Sequence, residues 1–126
     1  MQACERTVLV VDINVEVTSA LAMLFESYAF HAVRAHDVDE ALAAARSSQP
    51  DLVVMDLDMP AGTAYRIARQ MRTLPWDKPM LMVGMSGWGD QVSRARSGAA
   101  GFDAHFAKPI DFTSLRAYLS ALDRAP

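Results

Sequence analysis

The chain alternates between short apolar runs and longer stretches in which apolar residues return every three or four positions. Thr7-Val8-Leu9-Val10-Val11, Leu52-Val53-Val54-Met55 and Met80-Leu81-Met82-Val83-Gly84-Met85 are the three most apolar runs. Each is too short for a typical helix, and the first two are rich in valine. They read as strands buried on both faces, as in the middle of a parallel sheet. Phe30 to Ala35 is less apolar and belongs nearer an edge. Phe102 to Ala107 alternates in the manner of an edge strand.

Helical patterns lie between these runs. Asn14 caps a first helix in which Val17, Leu21, Leu24 and Tyr28 form one stripe. Asp37 opens a second helix, Val38 to Ser47, with Glu40 as its capping-box partner. Pro60, Ala61 and Gly62 make a turn, and Thr63 is the expected cap of a third helix that buries Ile67 and Met71 and ends near Thr73. Asp90 to Ser97 reads as a weak polar helix, with Val92 and Ala95 turned inward and Gly98 at its end. Gly87, Trp88 and Gly89 before it read as a mobile loop. Asp111 caps a last helix with Phe112, Leu115, Leu119 and Leu122 on one face. Five strands alternating with five helices imply an α/β fold, a doubly wound parallel sheet with right-handed crossovers and helices on both faces.

Composition narrows the class. The 126 residues suit a single domain, residues 1–126, large enough to bury a core without metal or disulfide support. A net charge of −3 disfavours nucleic acid or an anionic membrane as the main partner. The one cysteine, Cys4, cannot form an internal disulfide and fits a reducing cytoplasmic compartment. No apolar run approaches a membrane span. The eight methionines, three of them between Met80 and Met85, read as core filler.

The candidate chemistry sits where the strands end. Asp12, Asp56 and Ser86 follow the three apolar runs, and Lys108 follows the edge-like one. Ligands in open α/β sheets bind outside the carboxyl ends of the strands, so four polar groups from distant parts of the chain converge on one pocket. An aspartate there, beside a second acid and a lysine, is a nucleophile toward phosphorus. Lys108 offers a compact cation for a phosphoryl oxygen, Ser86 a hydroxyl, and the acids oxygen ligands for Mg²⁺.

These residues resemble the response-regulator receiver domain of bacterial two-component signalling. The resemblance runs from Thr7 to Leu122. It rests on Val8-Leu9-Val10-Val11-Asp12, Pro50 to Pro60, Met85-Ser86-Gly87, and Ala100-Gly101-Phe102-Asp103 leading to Lys108-Pro109. It implies a flavodoxin-like sheet of order 2-1-3-4-5 and Asp56 as the phosphoacceptor, served by a histidine kinase or phosphotransfer protein. It also implies Asp12 as a member of the acidic pocket, Lys108 and Ser86 as phosphoryl contacts, Ser86 and His105 as switch residues, and a cis bond before Pro109. Mg²⁺ is implied at Asp56, the Asp58 backbone carbonyl and, through water, Asp12. Asp58 and Trp88 occupy positions that tune access of water. The loop Ser86-Gly87-Trp88-Gly89 looks like that of receivers attached to, or working with, hybrid histidine kinases. A downstream partner or output domain, absent from this chain, would read the change.

Three features depart from the family pattern. The second acid after the first strand, its usual direct metal ligand, is here Ile13, which weakens the expected Mg²⁺ site. The aspartate-glycine pair common after the central loop is Thr63-Ala64. The switch aromatic is His105, whose ring titrates near neutral pH in an ordinary setting. Ile13 also supports an alternative from the interaction class, a degenerate receiver that binds partners without phosphorylation. A remote alternative is a haloacid dehalogenase-type phosphatase, suggested by Asp56-Leu57-Asp58. Against it, that motif lies on the first strand of its family, and no acidic pair follows Lys108.

Overall fold

Val8 and Val10 turn to one side of their strand and Leu9 and Val11 to the other, and all four are fully buried. A strand with no wet face needs helices on both sides, and the chain supplies them. The computed structural model describes residues 6–87 and 91–123, without the side chains of 91–94 and 121–123. Cys4, Trp88 and the inward assignments of Val92 and Leu122 therefore lie outside the described residues.

The elements follow in strict alternation: β1 (Arg6–Val11), α1 (Val15–Glu26), β2 (Phe30–Ala35), α2 (Val38–Ser48), β3 (Leu52–Asp56), α3 (Thr63–Arg72), β4 (Leu81–Ser86), α4 (Gln91–Ala100), β5 (Ala104–Ala107) and α5 (Phe112–Asp123). One 3-10 turn, Pro60–Gly62, precedes α3. The five strands pair in parallel in the order β2-β1-β3-β4-β5. The less apolar strands β2 and β5 are the edges, as their patterns predict. Leu21 and Phe25 of α1 and Leu115 and Leu119 of α5 pack on Val8, Val10 and Val54. Ala41 and Ala45 of α2, Ile67 and Met71 of α3 and Ala100 of α4 pack on Leu9, Val11, Val53 and Met55 across the sheet. Met80, Met82 and Met85 are all buried. No helix among the described residues is long and apolar enough to cross a membrane.

Several local expectations are corrected. The buried stripe of α1 is Thr18, Leu21, Ala22 and Phe25. Val17 is only partly buried, while Leu24 and Tyr28 stay exposed along one flank. Tyr28 is instead stacked on Phe112 of α5 with ring centroids 4.6 Å apart. Thr63 does not cap α3. Gly62 takes that position in a left-handed conformation, and the Thr63 hydroxyl donates back to the Pro60 carbonyl. α4 runs through Gly98 and stops at Ala100, ahead of Gly101, whose φ of 113° suits glycine best. Ala95 is exposed, and Ser97 and Ala100 are buried among the described side chains of that helix. β5 begins at Ala104, two residues later than the alternation suggests. The capping box of α2 is half formed. Asp37 accepts from the Glu40 N–H, but the Glu40 carboxylate reaches past Asp37 to the N–H of His36.

Candidate functional site

Strand register delivers the acids to one edge. Val11 pairs with Met55, so Asp12 comes level with Asp56, the last residue of β3. Asp56 pairs with Met85, and Ser86 with Ala107. Lys108 follows directly, its backbone N–H donating to the Ser86 carbonyl at 2.9 Å. The bond between Lys108 and Pro109 is cis. Gly84 keeps the floor of this edge close: a Cβ there would lie 2.6 Å from Leu57 Cδ1, the residue that carries the chain out of β3.

The side chains meet as that register dictates. Lys108 Nζ lies 2.6 Å from Asp56 Oδ1 and 3.2 Å from Asp58 Oδ2. Asp56 Oδ1 also accepts from the Asp58 N–H at 2.9 Å. Asp58 Oδ2 accepts from the Gly87 N–H at 2.9 Å, and the Ser86 hydroxyl bonds the same carboxylate. Asp12 Oδ1 accepts from the Asn14 N–H at 3.0 Å, while the Asn14 side chain caps α1. Asp12, Asp56 and Ser86 are buried, whereas Asp58 is exposed at the rim.

Burial pushes the Asp12 carboxyl above its ordinary range, and the Asn14 N–H opposes this; the Asp56 charge adds to the rise, and Lys108 and His36 reduce it. Asp58 shifts the other way. Burial would raise it, but the Gly87 N–H, the Lys108 ammonium and the Ser86 hydroxyl together hold it below the usual carboxylate range. Burial also works against the Lys108 ammonium, yet its contacts with Asp56 and Asp58 keep its pKa above the ordinary lysine value. Three carboxylates thus face one ammonium, and the edge keeps an excess of negative charge.

Asp12, Asp56, Asp58, Ser86 and Lys108 are brought together, and Pro109 closes the same loop. Ile13 points to solvent, 53% exposed, and offers no oxygen. His105 lies apart on β5, where its Nδ1 is 3.5 Å from the Ser97 hydroxyl of α4. Trp88 is outside the described residues.

Two features carry no signal in the sequence. The first is a chain of contacts behind Asp12: the Thr18 hydroxyl donates to the Val15 carbonyl and meets His36 Nε2 at 2.9 Å, and His36 Nδ1 lies 3.1 Å from Glu40. Nothing local marks a helical threonine as the partner of a histidine 18 residues away. The second is an apolar groove of about 430 Å³ between α1 and the loop after β5, lined by Val17, Ala20, Leu21, Met85, Pro109 and Ile110, with Lys108 at its border.

The set of donors suits a hard divalent cation. Asp12, Asp56 and the Asp58 backbone present only oxygen, beside uncompensated negative charge. No cluster of three or more His, Cys, Asp or Glu side chains with metal-holding geometry occurs among the described residues. A cation here would therefore keep most of its water.

Comparisons with known proteins identify the family and the fold. Residues 8–120 match the response regulator receiver domain. The phosphate regulon transcriptional regulatory protein PhoB of Escherichia coli (strain K12) is 24% identical over 119 residues, which cover 94% of this chain and 52% of PhoB. The chain thus spans about half the length of that relative. The CAI-1 autoinducer sensor kinase/phosphatase CqsS of Vibrio cholerae serotype O1 is 31% identical over 108 residues, covering 85% of this chain and 16% of CqsS. The chemotaxis response regulator CheY4 of Vibrio cholerae has a similar structure, with a TM-score of 0.82 at 20% identity, covering 94% of this chain and 98% of CheY4.

Proposed function

Because the chain belongs to the response regulator receiver family, we propose that it is a phosphoryl-accepting switch that takes the group on Asp56 from a histidine kinase or a phosphotransfer protein. One observation carries this reading: a buried Asp56 carboxylate, at the carboxyl end of the central strand, lies 2.6 Å from Lys108.

The chemistry follows from that pairing. Lys108 engages Oδ1, which leaves the other carboxylate oxygen to attack phosphorus in line. The new O–P bond forms as the P–N bond of the phosphohistidine breaks, and the departing imidazole takes up a proton. Lys108 then neutralises part of the charge on the transferred oxygens. Mg²⁺ fits Asp12, Asp56 and the Asp58 backbone carbonyl, and when bound it supplies positive charge against the phosphoryl oxygens. Ile13 contributes nothing to it. Asp12 keeps the pocket electronegative, and its Asn14 bond holds the carboxylate in place.

The groove beside Lys108 supports docking of the phosphodonor there. It is apolar, and it ends at the group that would contact the phosphoryl oxygens. Ile13 and Val15, exposed apolar residues in the segment between Asp12 and α1, also favour a second reading, docking without phosphorylation. Intact-mass analysis with acetyl phosphate, with and without Mg²⁺, separates the two. Wild type should gain one phosphoryl group and Asp56→Asn none. A wild type that stays unmodified in both conditions leaves only the docking reading.

A further inference from the structure

The Asp58 side chain takes no part in the phosphoryl transfer described above, yet it gathers three donors at the rim. Its carboxylate gathers the Gly87 N–H (2.9 Å), Lys108 Nζ (3.2 Å) and the Ser86 hydroxyl. Lys108 is also the cation that the proposed function assigns to the phosphoryl group, and Ser86 is the hydroxyl that the resemblance to the family implies for it. Gly87 follows Ser86 and presents its N–H to the same anion. A single carboxylate therefore already engages an ammonium, a hydroxyl and a backbone amide suited to phosphoryl oxygens.

We propose that the Asp58 carboxylate is a resident anion that occupies the phosphoryl-binding donors before transfer, so that phosphorylation of Asp56 exchanges one anion for another. The inference rests on Asp56 as phosphoacceptor, and it adds a residue that sets how readily that site accepts. The exchange runs downhill for a physical reason. A phosphoryl group carries about −1.5 to −2 charge and three acceptor oxygens, against −1 and two for a carboxylate. Asp56 and Asp58 share Lys108 before transfer, but a more highly charged phosphoryl group in place of the Asp56 carboxylate raises the repulsion on Asp58, so the more weakly charged anion leaves.

The local structure lets it leave. The Asp58 side chain is already 32% exposed, so rotation takes it into water at little desolvation cost. Its backbone need not follow, because the Asp58 N–H is tied to Asp56 Oδ1. Gly87 sits opposite with a backbone amide and no side chain; a Cβ there would lie 3.6 Å from Asp58 Oδ2. Before transfer, then, Asp58 does two things. It tethers the Ser86–Gly87 end of β4 to the loop after β3, and it competes with the incoming group for Lys108.

Two measurements test this. The first uses Asp56→Asn, which accepts no phosphoryl group, and the double variant Asp56→Asn/Asp58→Ala, both titrated with inorganic phosphate and followed through backbone amide NMR signals. The double variant should bind phosphate about tenfold more tightly, the scale of one charge-assisted contact, and its Gly87 amide signal should move. Its Gly87 proton should also lie upfield of the single variant's before any phosphate is added. Equal affinities, or a Gly87 signal indifferent to Asp58, overturn the proposal. The second is the rate of Asp56 phosphorylation by acetyl phosphate. Asp58→Ala should be about tenfold faster than wild type, and the isosteric Asp58→Asn faster too, since the charge and not the shape is what competes. Rates equal to or below wild type overturn it as well. If no variant is phosphorylated, the phosphoacceptor reading fails by itself, and the phosphate titration still decides who holds the donors.

Discussion

The two edges of the sheet each carry a network of charge, and they are built differently. At the amino ends of the strands the Arg72 guanidinium donates to the carbonyls of Gly101 and Met80 and to the Asp103 carboxylate. Asp103 also accepts from the Met82 N–H, while Asp51 accepts from the Thr7 N–H and pairs with Lys78 at 3.0 Å. Each acid there has its own cation and a backbone donor. At the carboxyl ends, Asp12, Asp56 and Asp58 share Lys108. The first edge is electrically closed and stitches β1, β4 and α3 to their neighbours. The second is left short of cations, which costs stability and suits the metal ion and phosphoryl group of the proposed function. Both networks consist of aspartates near strand ends, so residue type alone does not separate structure from function; the balance of charge does.

Breaking the closed edge should produce the largest effect on folding. Arg72→Ala strands the Met80 and Gly101 carbonyls and the Asp103 carboxylate, and should lower unfolding stability by about 2 kcal/mol. Acetyl phosphate should modify Asp56 in that variant at the wild-type rate. A denaturant midpoint that does not move, or a phosphorylation rate that falls in step with it, would erase the distinction between the edges.

Restoring the missing acid sharpens the contrast from the other side. Ile13→Asp adds an oxygen ligand next to Asp12 and should tighten Mg²⁺ roughly ten- to a hundredfold, equivalent to about 1–3 kcal/mol. Calorimetric titration reads it directly. The same change adds a further carboxylate to an already negative edge, so the metal-free protein should be less stable than wild type. If wild type binds Mg²⁺ as tightly as the variant, position 13 is not the place where the ligand is missing.

The smallest expected effect is in pH dependence, and it has a definite sign. The Asp12 carboxyl lies above its unfolded value, so the folded protein holds more protons than the unfolded chain in the window between the two. Stability then falls as pH rises through that window from about 4 and stays lowered above it. Asp58 lies below its unfolded value, so its contribution is present above about 4 and is lost as pH falls through the folded value. Without metal, Asp12→Asn should therefore raise the midpoint slightly at neutral pH, and the gain should vanish toward pH 4. A gain that persists in acid would mean that the ionised Asp12 carries no penalty.

Much of this was legible in the chain. Val8 to Val11 and Leu52 to Met55 are so uniformly apolar that only a strand covered on both faces can take them, and that requirement brings a parallel sheet with crossover helices. Asp12, Asp56, Ser86 and Lys108 stand at the ends of those runs, so the topology had to gather them. The buried stripe of α1 lies one residue from where its apolar pattern puts it. Thr18 and Ala22 are small and unremarkable in sequence, yet they are buried, while the more apolar Leu24 stays exposed and Tyr28 packs on Phe112 of α5. Glycine disfavours helix interiors, which marks Gly98 as a helix end in the sequence, but Ser97 and Ala100 bury against the fold and α4 runs past it.

The sequence by itself determined the layers, the edge strands and which four polar residues share an edge, because periodicity and strand ends are local and every crossover has the same hand. Only the tertiary structure decided how charge is shared there. That Asp58 takes the Gly87 amide and part of Lys108, and that His36 meets Thr18 behind Asp12, depends on side-chain directions across loops 29 and 18 residues apart. Hydrogen bonds act over about 3 Å, and no pattern along the chain reports a distance that short between segments so far apart in sequence.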